Sequence, residues 1–302
     1  MRRLVSLVSG LVMVVAVVAG PPGAADADSS LGEGPVTLIA VDLGSASLTE
    51  HDAAVAVTAL TVLLDAHTTD PVALLPYAAS AGLPDGFAAG DTALDAAAAA
   101  LADRIAERAE RGESNQFRAL ATAFSYLSEQ EAPAGSQMYL VTGRMQDGSR
   151  ANRDRIAGFA DLFAEQGWMI SALMLPSSAP EARDFLVSIV ERTGGAWDDA
   201  GTVEGLAGFT HREHGLAPAP ALSIRLQPGA SALQPLEVAP ETELLVVTTT
   251  RASTAARVEV FDPEGARAMH AAGAHTTYET PAFVVKTFAL PRPGTWLLRA
   301  TG

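Results

Sequence analysis

Between Pro35 and Phe209, short runs of continuous apolar residues alternate with long alanine- and leucine-rich stretches of helical period, and that alternation leaves few folds open. A strand that is apolar at every position is one covered on both faces, as in a parallel sheet held between helix layers. The stretches 36–42, Val72–Tyr77, Gln137–Thr142 and 168–175 are therefore predicted as strands. Helices are predicted over 51–66, 92–111, 115–127, 153–166, 179–193 and 202–209. In the second of these, Leu94, Leu101 and Ile105 recur at helical spacing, while Asp103, Arg104, Glu107 and Arg108 are left for solvent. Gly112 and Gly194 are placed to stop two of the helices. The fold class is α/β: a domain over 35–210 with a mainly parallel central sheet flanked by helices.

After His214 the texture changes. Gly215-Leu216-Ala217-Pro218-Ala219-Pro220 is semi-rigid linker sequence, and with the charged residues before it the linker is set at 211–220. Short strands follow at Ala221–Leu226, 243–250, Arg257–Phe261, 283–290 and 295–300, with turns at Asp262-Pro263-Glu264-Gly265 and Pro291-Arg292-Pro293-Gly294. These imply an all-β, Ig-like antiparallel sandwich over 221–302, in which Trp296 belongs to the core. Lys and Arg number 20 against 35 Asp and Glu, and the formal charge of −15 argues against nucleic acid as a partner. Cysteine is absent, which excludes disulfides, thiolate metal sites and cysteine nucleophiles.

The N-terminus has the profile of a secretory signal. Arg2 and Arg3 precede an apolar run from Leu4 to Gly20, Pro21-Pro22-Gly23 would end a helix, and Ala25-Asp26-Ala27 offers a small-x-small cleavage site. Residues 1–27 are expected to be removed, giving a secreted or cell-envelope (periplasmic) protein whose mature chain has no transmembrane segment.

In an open α/β sheet, ligands gather beyond the carboxyl ends of the strands. Three stretches lie there: Asp42-Leu43-Gly44-Ser45-Ala46-Ser47, Arg111-Gly112-Glu113-Ser114, and Thr142-Gly143-Arg144. Their order resembles that of the von Willebrand factor type A domain. The closing stretch, Gln166 to Ala172, then Glu191-Arg192-Thr193-Gly194-Gly195-Ala196-Trp197 and Val203-Glu204-Gly205-Leu206, is similar to the same family. The resemblance implies a Rossmann-like fold whose upper face can hold a divalent cation in a metal-ion-dependent adhesion site. Onto that motif fall Asp42 as the leading carboxylate, Ser45 and Ser47 as hydroxyls, and Ser114 in the threonine position. The pattern is degenerate. Gly44 and Ala46 stand where the two serines belong, with Ser45 and Ser47 one residue out of register, and Gly143 stands where the third motif has an aspartate, Asp147 being four residues further on. A Mg²⁺ or Ca²⁺ site on Asp42, Ser45, Ser47 and Ser114 is thus one expectation. The other has no cofactor, Asp42 hydrogen-bonding its own loop and Ser114 capping the following helix.

Other motifs carry less. His211-Arg212-Glu213-His214 lacks the H-E-x-x-H order and is read as solvated linker. No G-x-S-x-G elbow or phosphate loop is present in the sequence, so no catalytic residues are assigned and an enzyme is not expected. The expected function is protein–protein interaction or adhesion with an unidentified protein partner, through the loops after Asp42, Gly112 and Thr142. The alternatives are a metal-dependent adhesion module, an accessory fragment of a larger extracellular hydrolase, and a structural spacer.

Overall fold

The computed structural model of the chain describes residues 9–19, 34–44, 48–107, 114–143, 150–178, 180–200, 203–213, 215, 221–226, 229–251, 257–268, 275–279 and 283–301. The chain divides into two compact units. One is Asp26–Glu213, and the other joins Met1–Ala25 to His214–Gly302. Strand β1 (Ser9–Ala19) belongs to the second unit.

The first, α/β unit runs β2 (Thr37–Asp42), α1 (Glu50–Ala66), β3 (Val72–Tyr77), β4 (Asp85–Phe87), α2 (Thr92–Glu107), α3 (Gln116–Glu129), β5 (Gln137–Thr142), α4 (Arg150–Glu165), β6 (Met169–Met174), α5 (Pro180–Thr193), β7 (Trp197–Asp199) and α6 (Val203–Glu213). Its sheet has the order β4-β3-β2-β5-β6-β7, parallel throughout except for the antiparallel pair β3/β4. The four predicted strands are its four central ones. Every residue of β2 is buried, as its unbroken apolar run requires. Leu38, Ala40, Ala73, Leu75, Met138, Leu140 and Ile170 pack in one cluster with Leu120 of α3, Phe163 of α4 and Leu186 of α5. An aromatic chain backs this cluster: Phe124 meets Phe159, Phe163 and Trp168 at centroid distances of 5.5–6.0 Å, and the Trp168 indole donates to the Ala132 carbonyl at 3.0 Å. From β2 the chain passes to β3 on one side, then crosses back to β5 on the other. The crevice between the carboxyl ends of β2 and β5 is therefore the topological switch point.

Helix α1 starts at Glu50 because Thr49 and Asp52 form a reciprocal capping box: the Thr49 hydroxyl accepts from the Asp52 amide, and the Asp52 carboxylate accepts from the Thr49 amide. Gly194 has φ +72° and follows α5, as predicted, with the amides of Gly194 and Gly195 returning to Glu191 and Val190. Gly112 lies outside the described residues. The linker expected from residue 211 is corrected. Helix α6 continues to Glu213, and His211 is 2% exposed. Its charged end is drawn inside by partners from distant segments, which no local pattern announces.

In the second, β unit, the strands after the linker are β8 (Ala221–Leu226), β9 (Ser231–Val238), β10 (Thr242–Arg251), β11 (Arg257–Phe261), β12 (His275–Glu279), β13 (Phe283–Ala289) and β14 (Gly294–Thr301). They form sheets of order β12-β13-β10-β1-β8 and β11-β14-β9, with antiparallel pairing throughout. Leu245, Val247, Val260, Phe288, Trp296 and Leu298 make the core. The Trp296 indole donates to the Arg292 carbonyl at 2.7 Å and stands 5.3 Å from the Phe288 ring. Asp262 organises the predicted turn, its Oδ1 accepting the amides of Glu264 and Ala266. The expected sandwich omitted three strands: β9, β12 and β1, the last drawn from the apolar N-terminal run and seated between β8 and β10.

Close approach, rather than torsion, makes Gly195 irreplaceable. A Cβ there would lie 2.0 Å from the Ile170 carbonyl oxygen of β6, whereas one at Gly194 meets nothing within 4 Å. Gly195→Ala is expected to cost about 2 kcal/mol or more and Gly194→Ala about 1 kcal/mol. Urea denaturation checks both, and equal losses at the two positions would contradict the packing argument.

Candidate functional site

Asp42 ends β2 at the switch point, 0% exposed. A buried carboxylate needs donors to replace its lost water, and the chain supplies them from three directions. Oδ1 accepts the Gly44 amide at 2.9 Å, so the carboxylate closes its own loop. The Ser114 hydroxyl lies 2.6 Å from Oδ1 and 2.5 Å from Oδ2, and the Thr142 hydroxyl lies 3.3 Å from Oδ2. Gln116 Nε2 in turn donates to the Thr142 hydroxyl at 3.0 Å. Thr142 comes from the end of β5, and Ser114 and Gln116 from the start of α3. Tyr77, opposite Asp42 in the register of β3, is also buried. Burial and the Asp42 charge push its pKa well above the ordinary 10.0, so the phenol keeps its proton.

Sequence reasoning thus placed Asp42 and Ser114 at one site, and the structure brings them into contact. Ser114 does not cap α3. That role falls to Asn115, whose side chain accepts the Arg118 amide at 3.1 Å. The Ser114 hydroxyl is turned to Asp42 instead, because a charge stripped of water gains more from a donor than a helix end does. Ser45, Ser47 and Asp147 lie outside the described residues. Gly143, where the family motif has its second carboxylate, follows Thr142 directly and is buried. Thr142, Gln116 and Tyr77 were not foreseen as members of the site. Their one signal is position, each being polar at or beside a strand end.

A hard cation needs about six oxygen ligands at near-octahedral geometry. The described residues here offer one carboxylate whose oxygens accept an amide and two hydroxyls, and no second carboxylate stands beside it in place of Gly143. No group of three or more His, Asp or Glu side chains arranged for a metal occurs among the described residues. The described donor set does not fit a hexacoordinate ion. Around it the frame is fixed: the Asn115 amide donates to the Ala78 carbonyl at 2.9 Å, and Asp52 of α1 accepts the Ser177 amide, beyond β6, at 3.0 Å.

A second polar cluster lies at the other end of β2 and was missed in the sequence, because its members are far apart in the chain. His67, which caps the C-terminus of α1, has Nδ1 2.9 Å from Asp70 and 3.3 Å from the Thr37 hydroxyl, and Nε2 3.1 Å from the Tyr139 hydroxyl. Tyr139 donates its one proton to Glu213, and Arg212 pairs with both Glu213 and Asp198. Tyr139 therefore accepts from His67 Nε2–H, while Asp70 requires Nδ1–H, so the network assigns both ring protons and the imidazolium charge. Burial opposes that charge, but hydrogen bonds and attraction from Glu213 and Asp70 raise the His67 pKa above its ordinary 6.5. Burial likewise opposes ionisation of Glu213, and His67, Tyr139 and Arg212 together lower its pKa below 4.5.

No family model matches the chain, and no curated protein does. Among solved structures, it is similar to a von Willebrand factor type A protein from Catenulispora acidiphila (13% identity over 99% of this chain and 67% of that one, TM-score 0.46). Others are an aerotolerance-related membrane protein from Bacteroides fragilis (14%, 54% and 90%, 0.41) and BatB from Bacteroides thetaiotaomicron (14%, 60% and 97%, 0.41). The α/β unit itself, with its six-stranded and mostly parallel sheet and its six described helices, has the Rossmann-like type A arrangement implied by the sequence resemblance.

A raised histidine pKa stabilises the fold below the unfolded value of 6.5, and the contribution is lost as pH rises through the folded value. The lowered Glu213 acts oppositely, stabilising above 4.5 and failing as pH falls. The melting temperature is thus expected to decline as pH rises above 6.5, and His67→Gln to flatten that decline. An identical slope in the variant, measured by calorimetry, would remove His67 from the account.

Proposed function

We propose that the protein is exported and that its α/β unit is a metal-independent protein-interaction module, acting by binding or adhesion rather than catalysis. The observation that carries this reading is the Asp42 carboxylate. Fully buried, it is engaged by Gly44, Ser114 and Thr142, and so does internally what a bridging cation does between loops. The loops after Asp42, Gly112 and Thr142 adjoin these braced stems in the chain, at the switch point where α/β sheets bind their ligands. The partner is a protein of the envelope or the extracellular space. Export is supported by the basic start, apolar run and small-x-small site of residues 1–27. The acidic composition, with its formal charge of −15, favours a basic partner by electrostatic steering.

The test is affinity capture from the envelope fraction of the source organism, with and without a chelator, using the exported protein and Asp147→Arg in the loop after β5. The expected result is a reproducible partner retained in chelator and reduced by Asp147→Arg. Release by chelator would make the site metal-dependent. Capture that survives charge reversal and further substitution of all three loops would move binding away from the strand ends.

A further inference from the structure

In the intact chain, an interior strand of the five-stranded sheet of the β unit is drawn from the leader. Strand β1 pairs antiparallel with β10 from Leu11↔Arg251 to Val18↔Leu244, and on its other side with β8 from Ser9↔Leu226 to Val14↔Ala221. Strands β8 and β10 both run against β1, so they are parallel to each other, and a full strand width separates them. We infer that processing after Ala27 opens a strand-binding site between β8 and β10, which an extended, uncharged, β-branched segment of a partner protein fills by adding itself as the missing interior strand. This rests on the export reading above and specifies a surface distinct from the strand-end loops.

The other sheet edges show what is unusual about this one. A strand edge left to water is normally blunted by charge, proline or shortness. Among the remaining edge strands, β4 and β7 are three residues long and carry Asp85, Asp198 and Asp199. Strand β9 contains Pro235, β11 carries Arg257 and Glu259, and β12 has His275 and Glu279. The edge of β10 has no such device across Leu244-Leu245-Val246-Val247-Thr248-Thr249-Thr250, its charges Glu243 and Arg251 standing at the ends. Residues 245–249 are all buried, so this is an interior strand by every measure except its neighbour's origin. With β1 gone, the backbone amides and carbonyls along it lose their partners in the middle of a sheet. Shift of β8 onto β10 would require a parallel pairing in place of two antiparallel ones.

The seated segment also defines the chemistry of its replacement. Ser-Gly-Leu-Val-Met-Val-Val-Ala-Val-Val-Ala has no charge and no proline, so all its backbone groups can serve the two ladders, and main-chain hydrogen bonds supply the affinity as in other strand additions. Antiparallel orientation to both neighbours fixes the direction in which a partner strand enters.

The test begins with the exported protein and its mass. The product is then mixed with a synthetic Ser9–Ala19 peptide carrying terminal lysines, and with the same peptide bearing Val14→Pro. Val14 pairs with both Thr248 and Ala221, so proline there removes a ladder donor in the middle of the site. The expected result is a product beginning at Asp28 that binds the peptide saturably and melts at a higher temperature with it. Its amide exchange across Leu244–Arg251 should slow on the order of tenfold or more, while the proline peptide has no effect. A processed product that ignores the peptide, with those amides already protected, would show that β8 has closed the gap and would overturn the inference alone. An exported product still beginning at Met1 would overturn it together with the processing on which it rests.

Discussion

One carboxylate fixes the upper end of the α/β unit. Asp42 sits where the sheet's topology puts a crevice, yet it has no access to water, and an unpaired charge in that position costs several kcal/mol. Its donors come from its own loop, from the segment before α3 and from the end of β5. Satisfying the charge therefore sets β2, β5 and α3 relative to one another, and Gln116 and Asn115 extend the same constraint to Thr142 and to the loop after β3.

The opposite end of the sheet solves a related problem with full charges. Tyr139 on β5, His67 at the end of α1, and Glu213 and Arg212 at the end of α6 share protons and charge in a chain whose donor and acceptor roles follow one another without a gap. That chain is what holds the last turn of α6 against the unit, since its polar residues have no apolar face to offer. Between the two polar ends lies a sheet buried on both faces. The unit is thus an apolar slab with hydrogen-bonded networks at both margins: buried Leu206, Ala207 and Phe209 seat the body of α6, and the polar network fixes its last residues.

What could be read from the sequence follows the same division. Strands β2, β3, β5 and β6 were legible because burial on both faces writes itself as a continuous apolar run. Strands β4 and β7 were not, since Asp85-Gly86-Phe87 and Trp197-Asp198-Asp199 are strands only by virtue of the neighbour they pair with. Pro235 concealed β9, a proline being tolerated there because the strand lies at an edge. The valine-rich N-terminal run has no period to separate a strand from the apolar core of an export signal, so its hydropathy fits both. At the site, Asp42 and Ser114 were legible through motif spacing. The direction of the Ser114 hydroxyl was not, because it is set by a charge 72 residues away. His211-Arg212-Glu213 looked solvated for the same reason: the partners that bury it, Asp198, Tyr139 and His67, are visible only after the chain has folded.

The central claim is that Asp42 is a structural carboxylate satisfied from within. Its most direct test is the melting temperature of the protein and of Asp42→Asn, each in Mg²⁺, in Ca²⁺ and in chelator. Asparagine preserves the shape but loses the charge and half of the acceptor capacity that the Ser114 and Thr142 hydroxyls use. The account predicts that cations leave the native protein unchanged and that Asp42→Asn melts several degrees lower in all three conditions. A rise of several degrees with either cation, abolished in Asp42→Asn, would contradict it and make Asp42 part of a metal site.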